Sequence, residues 1–260
     1  MRLDSAVVAR GLVDSRTKAQ RRIRGGDVSV GGVVITKVSH DVADDVDIEL
    51  SGSRDYVGRG ALKLLAALEE WDIDPSGALA LDIGASTGGF TQVLLERGAS
   101  RVVAIDVGHG QLHSLLRDDR RVDSFEGINI RDITREWWER EVGAAPSLIV
   151  SDVSFISLTQ IIPVVVEALG ICEWIVLVKP QFEVGKRGVK DGIVTNPELR
   201  ASALESVLEC ASASGLQARG LMGSPITGES GNHEYLCWLS PTHGRNPPQW
   251  SEQVHTLAHS

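Results

Sequence analysis

Cysteine is scarce in this 260-residue chain: Cys172, Cys210 and Cys237 are odd in number, far apart and without a CxxC pair. That gives no basis for a disulfide framework or a cysteine-built zinc site, and it suits a reducing compartment, so a cytoplasmic protein is expected. Met1-Arg2-Leu3-Asp4 does not begin a secretory signal. The most apolar stretch, Ile161 to Val178, is broken by Pro163, Glu167 and Glu173. It therefore reads as a helix, a short turn and a buried strand rather than a membrane span, and no membrane partner is expected. Positive charge is also in deficit, with a net charge of −9, which argues against a surface basic throughout. With 42% hydrophobic residues the chain is rich enough for a packed core, in one large domain or two smaller ones.

What is present centres on Leu79-Ala80-Leu81-Asp82-Ile83-Gly84-Ala85-Ser86-Thr87-Gly88-Gly89-Phe90. An apolar run breaks at glycines and resumes as the helical pattern Phe90 to Glu96: strand, tight turn, helix, as at the opening of a doubly wound nucleotide-binding sheet. Gly84 and Gly88 permit positive φ and close backbone approach to a ligand, and Ser86 or Thr87 is expected to cap the helix. The glycine spacing is not GxGxxG, since position 86 is serine, so a pyrophosphate is not the expected ligand. Asp82 before the turn would attract the ammonium of an amino acid. Asp106, which ends the run Arg101 to Ile105 and lies 24 positions on, stands near the ~20-residue offset at which an acid meets a ribose. One acid for an ammonium and one for a ribose describe S-adenosylmethionine better than NAD. An ordinary strand–helix turn without a ligand is the alternative.

Charge is distributed unevenly. Residues 1–40 hold Arg2, Arg10, Arg16, Lys18, Arg21, Arg22, Arg24 and Lys37 against Asp4, Asp14 and Asp27, a block of +5 in a chain that otherwise carries −14. Leu3, Val7, Val8 and Leu12 recur at helical spacing up to Gly11, Ser15 caps a second helix over 16–24 that ends at Gly25-Gly26, and Val28 to Ile35 reads as a hairpin turning at Gly31-Gly32. Five cations and no acid within 16–24 point to phosphate contact, a solvated helix face being the alternative. Arg2-Leu3-Asp4, Arg10-Gly11-Leu12, Ser15-Arg16, Ala19, Ile23, Gly26-Asp27-Val28 and Val30-x-Gly32 together resemble the S4 RNA-binding domain, in which the hairpin turn is commonly Asn-Gly. The acids Asp41, Asp44, Asp45, Asp47 and Glu49 are expected on an exposed edge. The resemblance implies RNA contact by Arg2, Arg10, Ser15, Arg16, Lys18, Arg21, Arg22, Arg24 and Lys37, with Arg59 beyond the connector.

Four strand-like runs end in charge: at Asp82, Asp106, Asp152 and Lys179. Ligands of open α/β sheets bind beyond such ends, and Lys63 and Glu234 lie on elements able to approach the same edge. The segments Tyr56-Val57-Gly58-Arg59-Gly60-x-x-Lys63-Leu64, Asp82-x-Gly84-x-Ser86-x-Gly88-Gly89-Phe90, Ser151 to Ser157, Val178-Lys179-Pro180-Gln181-Phe182-Glu183 and Gly231-Asn232-x-Glu234-Tyr235 are together similar to the TlyA (hemolysin A) family, over about residues 1–240. The resemblance implies an S4 domain at 1–50, a linker at 51–60 and an FtsJ-like, Rossmann-like methyltransferase domain with a seven-stranded mostly parallel sheet at 61–240. A poorly ordered tail at 241–260 is expected to follow. It implies cofactor contacts from Asp82, Gly84, Ser86, Thr87, Gly88, Gly89, Phe90, Asp106 and Asp152, and methylation of a cytidine ribose 2′-hydroxyl of ribosomal RNA by a Lys63-Asp152-Lys179-Glu234 tetrad. Glu229 competes for the last place, and Gly127-Ile128-Asn129 departs from the family's Arg-Thr-Asn. A ribose hydroxyl is a poor nucleophile and needs a positioned base. An ammonium is none, whereas burial and a neighbouring cation favour a neutral amine. Lys179 is assigned as base, Lys63 as its assistant and alkoxide stabiliser, and the carboxylates as orienting groups. No metal is expected. Two other readings stay open: an RNA-binding assembly factor that merely holds the cofactor, and a membrane-active protein.

Overall fold

The computed structural model describes residues 1–13, 15–24, 27–43, 46–50, 56–185, 188–228 and 231–260, and the Arg21 side chain is not among what it describes. The chain divides into two units, Met1–Tyr56 and Val57–Ser260. The division falls inside the expected 51–60 connector, of which Ser51 to Asp55 lie outside the described residues.

The first unit packs two helices, α1 (Leu3–Ala9) and α2 (Arg16–Arg24), on an antiparallel sheet of β1 (Val28–Val30), β2 (Val33–Val34) and β3 (Ile48–Leu50), in the order β2-β1-β3. Ser15 caps α2 as expected, its Oγ accepting from the Lys18 N–H at 3.3 Å. The described acids of the acid-rich stretch, Asp41, Asp47 and Glu49, are exposed as expected and β3 is an edge strand, but the apolar residues between them join the core. Val42 and Ile48 are 5% exposed within it, and Ile48 and Glu49 pair with Val30 and Ser29, because apolar residues spaced between acids supply the missing inner face. Asp44 and Asp45 lie outside the described residues.

Asp4 ties the two helices together. Wholly buried, it accepts from Arg2 Nε at 3.1 Å, Arg16 Nε at 2.8 Å and Gln20 Nε2 at 2.9 Å. The Arg2 guanidinium foremost, then Arg16 and Gln20, hold its carboxyl well below the usual range against the opposing effect of burial. A depressed folded-state value means stability that is present above about pH 4 and lost as pH falls toward the folded value. Asp4→Asn is expected to weaken amide-exchange protection of α1 and α2 in the full chain at pH 7. The gap to the unsubstituted protein should narrow on acidification below pH 4, and a gap independent of pH would refute the linkage.

The second unit comprises α3 (Ala61–Glu70), β4 (Leu79–Ile83), α4 (Gly89–Glu96), β5 (Arg101–Asp106), α5 (Ser114–Arg117), β6 (Val122–Glu126), α6 (Arg135–Glu141), β7 (Leu148–Ser151), α7 (Ile162–Leu169), β8 (Glu173–Val178), α8 (Pro180–Glu183), α9 (Pro197–Ala213), β9 (Gln217–Gly223), β10 (Tyr235–Ser240) and α10 (Ser251–His259). Among the described residues these form a seven-stranded sheet, β6-β5-β4-β7-β8-β10-β9. The first five strands are parallel, and β10 runs antiparallel to β8 and β9. The central strands are buried almost end to end, as a sheet covered by helices on both faces requires. Trp138 is the buried residue of α6, and Trp137 packs edge-on against Phe125.

The expectation of a disordered tail is wrong. Trp250, Val254 and Ala258 are all at or below 4% exposure. Trp250 just before α10, with Val254 and Ala258 on it, makes an apolar stripe at one-turn spacing that closes the core, within a stretch whose overall polarity concealed it.

Candidate active site

Parallel strands aim their carboxyl ends at one edge of the sheet, and an antiparallel strand beside them brings its amino end to the same edge. Asp152 therefore follows β7, Lys179 follows β8 and Glu234 precedes β10 in one neighbourhood, and the pairing of Tyr235 with Val178 fixes the last two. Lys63, in the first turn of α3, joins them: its Nζ lies 2.7 Å from Glu234 Oε2 and 3.7 Å from Asp152 Oδ2. Lys179 Nζ lies 2.6 Å from Asp152 Oδ1 and donates to Ser154 Oγ at 3.0 Å. The result is a continuous run, Glu234–Lys63–Asp152–Lys179–Ser154. The two lysines and Glu234 are 9% exposed or less, so paired charges are held where isolated ones would be costly. Glu229, the competing acid, lies outside the described residues.

These side chains line a cavity of about 660 Å³ together with Gly58, Arg59, the 84–87 loop, Gly89 and Phe90. The loop is shaped by left-handed backbone at Gly84 (φ +83°), Ser86 (φ +48°) and Gly88 (φ +97°). Glycine is required at 84 on a second count, since a Cβ there would sit 2.8 Å from the Asp152 carbonyl oxygen. Neither Ser86 nor Thr87 caps α4. Gly88 occupies that position without a side-chain bond, because the left-handed turn directs Ser86 outward, its Oγ donating to Gln111 Oε1 at 3.2 Å. Asp106 accepts the Ser86 N–H at 2.8 Å and the Gly108 N–H at 2.7 Å. It thereby fixes the loop, and each oxygen keeps a further lone pair. Asp82, expected at the cavity for an ammonium, is instead wholly buried beneath it. Its Oδ2 accepts from Thr91 Oγ1 at 2.6 Å, Oδ1 has no hydrogen-bond partner among the described residues, and burial pushes the carboxyl up to about 7.

Three contributors escaped the sequence reading, although all stood inside quoted motifs. Asn232 is buried and ties two loops, accepting from Val194 N–H at 3.0 Å and donating to the Gly192 carbonyl at 2.8 Å. Glu183 accepts from Ser157 Oγ and from the Leu158 N–H, anchoring the loop after Asp152 to α8; burial raises its carboxyl despite those donors. Phe155 lines the cavity yet is 91% exposed, with φ +66° and its ring 5.2 Å from that of Phe182. A large residue in left-handed backbone is a strained exception that points to use.

The basic residues of the first unit separate into two groups. Arg22, also expected to contact RNA, is buried and pairs with Asp27 at 3.1 Å, where helical periodicity turns it to the core side beside Ile23. Arg2 and Arg16 serve Asp4 but keep side chains 48% and 56% exposed. Arg10, which donates to the Val46 carbonyl, is exposed, as are Arg24 and Lys37, while Ser15 and Lys18 are half-buried. The Arg21 side chain lies outside what is described.

Residues 56–240 match the model of the FtsJ-like methyltransferase family and residues 1–48 that of the S4 domain. The chain is 44% identical over 239 residues to hemolysin A of Brachyspira hyodysenteriae, covering 91% of this chain and 98% of that one. It is also 44% identical over 242 residues to the 16S/23S rRNA (cytidine-2′-O)-methyltransferase TlyA of Mycobacterium tuberculosis, covering 92% and 89%. Among solved structures, a Streptococcus thermophilus protein described as a hemolysin superposes with a TM-score of 0.73 at 36% identity, over 100% of this chain and 95% of that one.

Proposed function

Because the chain belongs to the FtsJ-like methyltransferase family, we propose that it transfers a methyl group from S-adenosylmethionine to a cytidine ribose 2′-hydroxyl of ribosomal RNA. The observation that carries this reading is the paired run Glu234–Lys63–Asp152–Lys179 on the wall of a cavity floored by the 84–89 loop. The cavity fits the cofactor in size, since small-molecule pockets span roughly 300–1,000 Å³. It also fits in chemistry: the Asp152 carboxylate and the Phe90 ring lie on its wall and suit a sulfonium cation, and Asp106 retains acceptor capacity for a ribose. When bound, S-adenosylmethionine supplies an electrophilic methyl carbon.

The residues divide the remaining work. Lys63 is engaged by two carboxylates, Lys179 by one carboxylate and the neutral Ser154 hydroxyl. That asymmetry in anionic partners supports Lys179 as the group that removes the 2′-hydroxyl proton, with Lys63 placed to stabilise developing alkoxide charge. Asp152 and Glu234 fix both amines in place. Nucleoside mass spectrometry of ribosomal subunits incubated with the chain and isotopically labelled S-adenosylmethionine tests the reading: labelled 2′-O-methylcytidine is expected, and its absence would refute it.

Phe155 supports a nucleic-acid substrate specifically. Single-stranded bases are bound by stacking on exposed aromatic faces, at about 1–3 kcal/mol per base, and the Phe155 ring is presented at the cavity with little cover. Phe155→Ala is expected to lower kcat/KM for RNA by roughly 10–100-fold and to leave cofactor affinity unchanged; unaltered kcat/KM would remove the stacking role. Several relatives carry the name hemolysin, and among the described residues no helix is long and apolar enough to cross a membrane.

A further inference from the structure

We propose that the carboxyl-terminal helix carries a binding site for a divalent transition cation of zinc type, formed by His255 and His259 of α10 with Glu198 of α9. The three share no residue with the cavity described above, and among the described residues theirs is the one cluster of three such ligands, whose donor atoms all lie within 4.8 Å of one another.

The positions of the side chains follow from the helix that carries them. Val254 and Ala258, one turn apart, are 1% and 0% exposed and lock that face of α10 into the core. His255 and His259, the next residue in each case, therefore stand together on an adjacent exposed face, one turn apart. Glu198 lies in the first turn of α9, whose start is fixed by Asn196, the side chain of which accepts the Glu198 N–H at 3.0 Å.

The orientation of the His259 ring is the stronger argument. Its Nδ1 lies 2.9 Å from the His255 carbonyl oxygen. A carbonyl only accepts, so Nδ1 carries the proton and the lone pair of the neutral ring resides on Nε2. That Nε2 faces Glu198 Oε1 at 3.4 Å. Two acceptors directed at each other call for a positive centre between them. A backbone carbonyl behind the non-ligating nitrogen is the usual support of a metal-bound imidazole. Ligands at about 2.0–2.1 Å from a tetrahedral zinc ion stand roughly 3.4 Å apart, which is the separation observed. The His255 ring stacks on that of His259 with centroids 4.0 Å and planes 23° apart, and a rotation of this exposed side chain would turn its nitrogen to the same ion and complete a three-ligand set, with the remaining position left to water. Imidazole and carboxylate donors favour zinc, nickel or copper over magnesium or calcium. A bound ion would join α10 to the start of α9 and so stabilise the closing helix of the core.

The competing arrangement is an ordinary ion pair between a protonated His259 and Glu198, and the test separates the two. Zinc chloride is titrated calorimetrically into the tag-free 260-residue chain, with EDTA reversal and thermal unfolding in parallel. One zinc ion per chain is expected. Affinity should fall at least about tenfold in His255→Gln, in His259→Gln and in Glu198→Gln, and zinc should raise the unfolding temperature of the unsubstituted chain alone. His255→Gln is decisive, because the ion pair does not involve that ring. The proposal is overturned by the absence of saturable binding, or by zinc binding that survives in the His255→Gln, His259→Gln double variant.

Discussion

Lys179→Arg is expected to abolish methyl transfer while keeping the fold and the affinity for cofactor. Arginine preserves the positive charge beside Asp152, which lies 2.6 Å from Lys179 Nζ, but a guanidinium stays protonated and cannot accept the 2′-hydroxyl proton. If Lys179 is the base, the loss should be about 10²–10⁴-fold in kcat. It should match that of Lys179→Met, which keeps the length of the side chain and removes the charge. If the lysine only balances the carboxylate, arginine should restore activity that methionine loses. The two variants together therefore distinguish proton removal from charge pairing. Lys63→Arg serves as the comparison: Lys63 is held by Glu234 at 2.7 Å and by Asp152 at 3.7 Å, and a residue whose task is electrostatic should tolerate the exchange better. Rates are best measured in single-turnover assays, with far-ultraviolet circular dichroism and cofactor affinity as controls. Arginine at 179 supporting more than about a tenth of the original rate would refute the assignment, given the size of the effect expected of a general base.

The second large effect concerns stability. Asp82 is wholly buried, and its carboxyl is raised to about 7, first by burial and then by the nearby Asp152 and Asp106, with the Thr91 hydroxyl opposing. Between the ordinary carboxylate value near 4 and pH 7, the folded chain holds a proton at this site that the unfolded chain has released. Stability of the second unit therefore falls as pH rises through that window and levels off above it, by an amount on the order of 4 kcal/mol from this group alone. Asp82→Asn, a neutral side chain of the same shape that can still accept from Thr91 Oγ1, should remove the dependence: near parity with the unsubstituted chain at pH 5, and a clearly higher unfolding midpoint at pH 8. Equal midpoints at both pH values would show that Asp82 is not a buried acid of this kind. Asp4 in the first unit has the opposite sign, its carboxyl being held low by Arg2, so these two groups contribute to the acid response in opposite directions.

The sequence was sufficient for the local architecture. The apolar run that breaks at Gly84, the basic helix capped by Ser15 and the hairpin over Val28 to Ile35 can each be read from periodicity and turn residues, which act over a few positions. The charged strand ends were legible as well, and together they marked the edge at which Lys63, Asp152, Lys179 and Glu234 meet. Legibility failed where the outcome depended on distant partners. Trp250, Val254 and Ala258 look like a tail until the core they close is present, and Ile48 looks like part of an acid run until β1 lies beside it.

Asp82 and Asp152 mark the division most clearly. Both come near the end of a largely apolar run, and by sequence alone they are alike. In the sheet Asp82 is the last but one residue of β4 and pairs in register with Val150, whereas Asp152 lies just beyond β7. A residue advances about 3.3 Å along a parallel strand, so the two carboxylates stand two residues apart in level. Sequence by itself determined which residues could be charged, apolar or turn-forming, since those are properties of single side chains and short spacings. Strand register decided which acid lies sealed below the loop and which faces the cavity, because depth in a sheet is set by neighbouring strands that the local sequence does not contain.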